Sequence, residues 1–66
     1  MKGLLAQMYC GVLLDVQVLK SGNGWYVGTY DVEEGPISRE SEEYWSTEDE
    51  ADSALLYDEW TQRANP

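Results

Sequence analysis

From Leu4 to Val18 every even position is apolar: Leu4, Ala6, Met8, Cys10, Val12, Leu14, Val16 and Val18. The odd positions are mixed, running Leu5, Gln7, Tyr9, Gly11, Leu13, Asp15 and Gln17. A strand turns successive side chains to opposite faces, so period two places the even set on one face of an extended chain. Such a segment has to pair with other strands and bury its apolar face. The run exceeds the five or six residues common for a strand. Gly11 is the natural place for a bend or bulge that divides it. An alternative folds Gly3 to Tyr9 into a short helix before a strand from Val12 to Leu19; the unbroken alternation favours the strand.

Ser21-Gly22-Asn23-Gly24 reads as a turn, and Asn-Gly signals a tight hairpin because both residues tolerate positive φ. Trp25 to Tyr30 follows, rich in aromatics that favour strands, so Val12–Leu19 is expected to pair with Trp25–Tyr30. Trp25, Val27 and Thr29 then share one face, and Tyr26 and Tyr30 the other. Asp31 to Pro36 reads as a second turn, with Gly35-Pro36 as its breaker. Ile37 to Trp45 is expected as a third, edge-like strand whose charges discourage further pairing. Thr47 with Glu50, or Ser46 with Asp49, fits a helix capping box. The acids that follow suit the positive end of a helix dipole. That helix is expected from about Glu48 to Arg63, with Asn65-Pro66 beyond its end. Ala51, Ala54 and Leu55 occupy one sector of it, Leu56, Tyr57 and Trp60 the opposite one, and Asp52, Glu59 and Arg63 a narrow polar stripe. One side suits the sheet and the other a partner or a sheet twisted around both.

The expected class is thus α+β: a small three-stranded antiparallel sheet with a long first strand bent at Gly11, an Asn-Gly hairpin, and one C-terminal helix packed on one face. Residues 1–66 form a single small domain. A chain of this size buries only about 60% of the surface its unfolded form exposes, and such scaffolds lean on disulfides, metals or a second subunit. Cys10 is the only cysteine and histidine is absent. An intrachain disulfide and the usual zinc cage are therefore excluded, leaving efficient packing or self-association. No metal and no cofactor are expected.

A lone cysteine suits a reducing compartment. Cys10 sits in an apolar run and reads as a small buried hydrophobe; a reactive thiol needs a base or cation, and the nearest lysines in sequence are Lys2 and Lys20. Gln7 and Tyr9 interrupt the N-terminal apolar stretch and no small-residue cleavage site follows, so no signal peptide is read. No run approaches the roughly 18 apolar residues of a membrane span. The expected location is cytoplasmic.

Charge carries the strongest functional signal. Thirteen acids face four bases, for a formal charge of −9. All the acids but Asp15 lie between Asp31 and Glu59, where Arg39 is the only base. Nucleic acid and anionic membranes are poor direct partners, because phosphate binding needs lysine and arginine. A basic protein surface is the complementary one. Glu40, Glu42, Glu43, Glu48, Asp49 and Asp52 form the candidate acidic surface, although solubility alone also accounts for such a bias.

Enzymatic chemistry finds little support. The carboxylate pairs fall in turns, an edge strand and a helix start, all wet places where pKa values are not pushed apart. Serine activation wants a histidine or lysine partner. Asp31, Glu33 and Gly35 echo a calcium loop, but the glycine falls fifth where such a loop needs it sixth. Gly22-Asn23-Gly24 lacks the Gly-Lys-Ser/Thr ending of a phosphate loop. The chain is therefore read as no enzyme.

Three tryptophans and five tyrosines, with no phenylalanine, are more informative. Their polar handles enrich them at protein interfaces. Most must serve as core in a chain this small, yet one helix covers only one sheet face. Tyr26, Tyr30, Tyr44, Leu56 and Trp60 are the candidate interaction surface. The order hairpin, third strand, helix, with Thr47-x-x-Glu50-Ala51 opening the helix, resembles the small sheet–helix domain of HicB-type antitoxins over about residues 12 to 60. The Pro- and Gly-Cys-containing segment of that family between strand and helix is absent here, and no DNA-binding appendage is seen. Two functions follow. The first is a non-enzymatic protein–protein interaction module whose partner is itself, as a homodimer, or a basic protein. The second is an acidic decoy, a nucleic-acid mimic or antitoxin-like inhibitor that blocks a basic protein surface.

Overall fold

The aromatic run after the first glycine turn becomes the centre of the sheet. The computed structural model describes residues 1–65. It contains β1 (Gln17–Ser21), β2 (Gly24–Asp31) and β3 (Gly35–Arg39), antiparallel and in the order β1-β2-β3. One helix, α1 (Glu48–Leu56), packs against β1 and β2. The expected small α+β architecture is present, but β1, β3 and α1 are shorter than the sequence suggests, while β2 extends one residue beyond each end of the expected Trp25–Tyr30.

The first strand departs most. Period two holds from Val12 to Val18, where even residues are half-buried and odd ones exposed. Before Gly11 the chain coils instead: Leu4 to Cys10 is helical, with Ala6–Cys10 wound as a π-turn. Leu5 and Ala6 are buried there while Leu4, Met8 and Cys10 are exposed, so the parity breaks. Gly11 does reverse the chain, but as a helix C-cap with φ 69°, its N–H bonded to the Ala6 carbonyl. A left-handed residue costs an ordinary side chain roughly 1–2 kcal/mol, which glycine escapes. Cys10, expected inside, is exposed because the coil turns it outward. Met1–Gly3 then runs beside Leu14–Val16, with Gly3 N–H bonded to Leu14 O at 2.8 Å and Val16 N–H to Met1 O at 2.8 Å.

The first turn is Gly22-Asn23, one residue earlier than the Asn-Gly signal suggests, since Ser21 pairs with Gly24. Ser21 Oγ accepts the Asn23 N–H at 3.2 Å, and the positive φ falls on Gly24 (126°). The second turn is held by Asp31, whose Oδ1 accepts the N–H groups of Glu33 (2.8 Å) and Glu34 (3.1 Å), the way aspartate commonly braces a turn. Gly35-Pro36 opens β3 rather than ending the turn. Register slips between Thr29 and Tyr30, leaving Ile37 as an extra residue on β3.

The expected third strand, Ile37–Trp45, keeps its ladder only to Arg39. Beyond it the Val27 carbonyl accepts from both Glu40 (2.8 Å) and Ser41 (3.0 Å), and the Val27 N–H donates to the Ser41 hydroxyl at 3.0 Å. A side chain thus replaces a backbone rung. Pairing resumes where Trp25 and Trp45 exchange two backbone bonds of 2.9 and 2.8 Å.

α1 starts as expected, with Thr47 as N-cap accepting the Glu50 N–H at 3.2 Å. It ends at Leu56, not Arg63. Asp58 takes a left-handed φ of 56°, Glu59 N–H bonds to Ala54 O at 2.7 Å and Asp58 N–H to Leu55 O at 3.3 Å. That is a Schellman stop. It frees Trp60–Arg63 to return beside Glu40–Glu42: Glu42 N–H bonds to Thr61 O at 2.9 Å and Arg63 N–H to Glu40 O at 2.7 Å. The end of the chain placed after the helix includes Pro66, which lies outside the described residues. The buried hydrophobic core comprises Leu5, Ala6, Tyr26, Val27, Ala51 and Ala54. Among the described residues no helix is long and apolar enough to cross a membrane.

Candidate interaction surface

The sheet face carrying Tyr26 covers itself. Tyr26 is buried, and its ring meets Tyr44 edge-on with centroids 5.9 Å apart. The Arg39 guanidinium, paired in register with Gly28, lies 4.5 Å above the Tyr44 ring. Burial first, and the neighbouring Tyr44 second, push the Tyr26 hydroxyl above its usual pKa. Burial also pushes Tyr44 up, but hydrogen bonding to Arg39, Asn23 and Ser21 outweighs it and brings its pKa below the usual value. Of the five candidate contact residues, Tyr26 is therefore core and Tyr44 half-buried under Arg39. Tyr30 and Leu56 are exposed, Leu56 at 75%. Trp60 is half-buried and not on the helix at all, because α1 stops before it.

The six candidate acids divide similarly. Glu42, Glu48, Asp49 and Asp52 are exposed. Glu43 is half-buried and clamps the returning segment, accepting the Thr61 N–H at 2.9 Å and the Thr61 hydroxyl at 2.8 Å. Burial raises its pKa, and these two donors more than offset that, holding the carboxyl below its usual range. Glu40 is 0% exposed. It accepts the N–H groups of Leu5 (2.9 Å) and Ala6 (3.0 Å), the Ser38 hydroxyl (2.5 Å) and the Gln62 amide (2.8 Å). Thr29 completes the chain by donating to Ser38 at 2.6 Å, because the Ser38 proton is already committed to the carboxylate. Burial alone would raise the Glu40 pKa, but these bonds together hold it below the usual carboxylate value. Glu40, just past the end of β3, thus caps the N-terminal helical turn, a structural task rather than a surface one. Nothing local in the sequence separates it from its exposed neighbours.

Two concave regions stand out among the described residues. One, of about 440 Å³, lies against the start of α1 and is lined by Trp45, Asp49, Glu50, Ser53, Ala54 and Glu59. The other, of about 510 Å³, is an open groove with Cys10, Val12 and Leu14 on one side and Asp31, Glu33, Glu34, Pro36 and Ile37 on the other. Its volume falls in the range of ligand-sized sites, roughly 300–1,000 Å³. Its walls are aliphatic and its rim carries three carboxylates. None of its residues belongs to the two candidate surfaces expected from sequence. The available signal was the surplus of apolar even positions, more than one short helix can cover. Among the described residues no three acid or cysteine side chains converge as metal ligands would.

No protein-family model matches this chain, and no curated protein or solved structure matches it either.

Proposed function

We propose that this protein is a non-enzymatic protein–protein interaction module of the cytoplasm that engages its partner through the groove between Val12–Leu14 and the β2–β3 turn. The observation that carries this is the groove's mixed composition: the aliphatic side chains of Val12, Leu14, Pro36 and Ile37 stand in one concavity with the carboxylates of Asp31, Glu33 and Glu34. A single exposed apolar residue needs no explanation, whereas a concavity that sets several aliphatic side chains beside carboxylates is the default place to look for binding. The lone thiol supports a reducing location. A homodimer is the weaker form of this reading, since two chains of charge −9 repel. The acidic-decoy reading draws on the exposed Glu42, Glu48, Asp49 and Asp52, but Glu40 and Glu43 spend their carboxylates on the fold itself.

Photo-crosslinking tests the module. A photoreactive residue is placed at Val12 on the groove wall and, separately, at the exposed Glu42 in native lysate. A protein captured reproducibly from position 12 and not from position 42 is the expected result. Equal, diffuse labelling from both positions would remove the groove as a privileged surface.

A further inference from the structure

We infer that the occupant of this groove is a short segment of a basic partner chain, with one aliphatic side chain seated among Val12, Leu14, Pro36 and Ile37 and lysine or arginine on either side of it meeting Glu33 and Glu34. The inference rests on the interaction-module reading and adds the chemistry of the partner.

Three observations lead to it. The rim is not neutralised from within: Lys2 is engaged by Asp15 at 3.1 Å, Arg39 lies on Tyr44, and none of Asp31, Glu33 and Glu34 is ion-paired among the described residues. Opposite charge on the partner is then favoured, while a second copy of this acidic chain or a nucleic acid is repelled. The rim is also built in advance. Asp31 Oδ1 holds the N–H groups of Glu33 and Glu34, so ordering the turn adds little to the cost of binding. Finally, Pro36 and the extra residue at Ile37 spoil this stretch of β3 as a template for strand addition. Side chains rather than backbone pairing must therefore hold the occupant, and an aliphatic anchor flanked by cations fits the walls and rim together.

The test is a titration of isotopically labelled protein with three capped pentapeptides, followed at the methyl groups of Val12, Leu14 and Ile37. The first is Lys-Lys-Leu-Lys-Lys. The second replaces its lysines by glutamine, and the third replaces its leucine by glutamine. Saturable groove shifts are expected with the first alone, weakening steeply between about 50 and about 500 mM salt. The pair Glu33→Lys and Glu34→Lys is expected to cut that affinity about tenfold. The pair Glu42→Lys and Asp52→Lys makes the same change in net charge away from the groove and is expected to alter it less than about twofold. All four side chains are exposed and make no hydrogen bond among the described residues, so both variants should fold. If the glutamine–leucine peptide binds the groove as well as the lysine peptide, the basic occupant is wrong and the module stands. Equal losses in the two charge-reversal variants would also overturn the inference, by showing attraction to total charge only. If no peptide moves the groove methyls, the inference fails, and the crosslinking result judges the module separately.

Discussion

A carboxylate without solvent must find its hydrogen bonds inside the protein, and Glu40 finds four donors there: two backbone N–H groups, a hydroxyl and an amide. Replacing one of its acceptor oxygens by an amide nitrogen leaves a buried N–H facing another donor. Glu40→Gln is expected to lower the unfolding free energy by about 2 kcal/mol in urea denaturation. A loss under about 0.5 kcal/mol would mean that water serves those donors equally well. The same residue sets a pH dependence. Its pKa is lower in the folded protein than the ordinary 4.5, so the unfolded chain takes the proton first as pH falls. Its contribution is complete above 4.5 and is lost as pH drops through the folded value. Acid should therefore destabilise the wild type more steeply than Glu40→Gln, with the two denaturation profiles converging below that window. Glu43 acts in the same direction through Thr61. The importance of Glu40 was not legible in the sequence. It is one acid among twelve between residues 31 and 59, and only its contact with Leu5 and Ala6 sets it apart.

Among the elements, the two helix ends show why boundaries moved. Gly11 stops the N-terminal turn with a residue made for a left-handed φ, so a bend there was visible beforehand even though its kind was not. Asp58 stops α1 without a glycine, so the sequence marks no break before Arg63 and places Leu56, Tyr57 and Trp60 on one sector of a longer helix. Aspartate tolerates the left-handed region better than most side chains but less well than glycine. Asp58→Gly should therefore raise stability by about 0.5–1 kcal/mol, and Asp58→Val should lower it by at least about 1 kcal/mol, both read by thermal denaturation. If both changes prove neutral, the reversal at Asp58 is not a fixed feature of the folded chain. The N-cap was predictable because Thr47 and Glu50 are three residues apart, and the helix needs nothing distant to begin.

Over the whole molecule, charge works against compactness. The formal charge of −9 is concentrated in the second half, and the only ion pairs among the described residues join Asp15 to Lys2 and to the N-terminus. Self-repulsion should be relieved by salt. Raising NaCl from about 0.05 to about 0.5 M shortens the screening length from about 14 to about 4 Å. The melting temperature is then expected to rise by several degrees, the equivalent of about 1 kcal/mol in a domain of this size. An unchanged or falling melting temperature would show that the acids are spaced widely enough not to interact. The same field supports the proposed cationic partner, so the salt that steadies the free protein is expected to weaken the proposed complex.

What could be read along the chain is what near neighbours settle among themselves. The strand alternation after Gly11, both turns, the Thr47 cap, the sheet–helix class and the acidic field rest on residue types and spacings within a few positions, where steric and electrostatic preferences act without a fold. The start of the first strand, the end of α1, the burial of Glu40 and Tyr26, and the groove are different. They depend on contacts between residues 35, 34 and 22 positions apart, such as Glu40 with Leu5, Ala6 and Gln62. The alternation from Leu4 to Cys10 favours a strand, yet the chain coils there. A carboxylate 35 residues away along the chain supplies the hydrogen bonds that a helix start lacks.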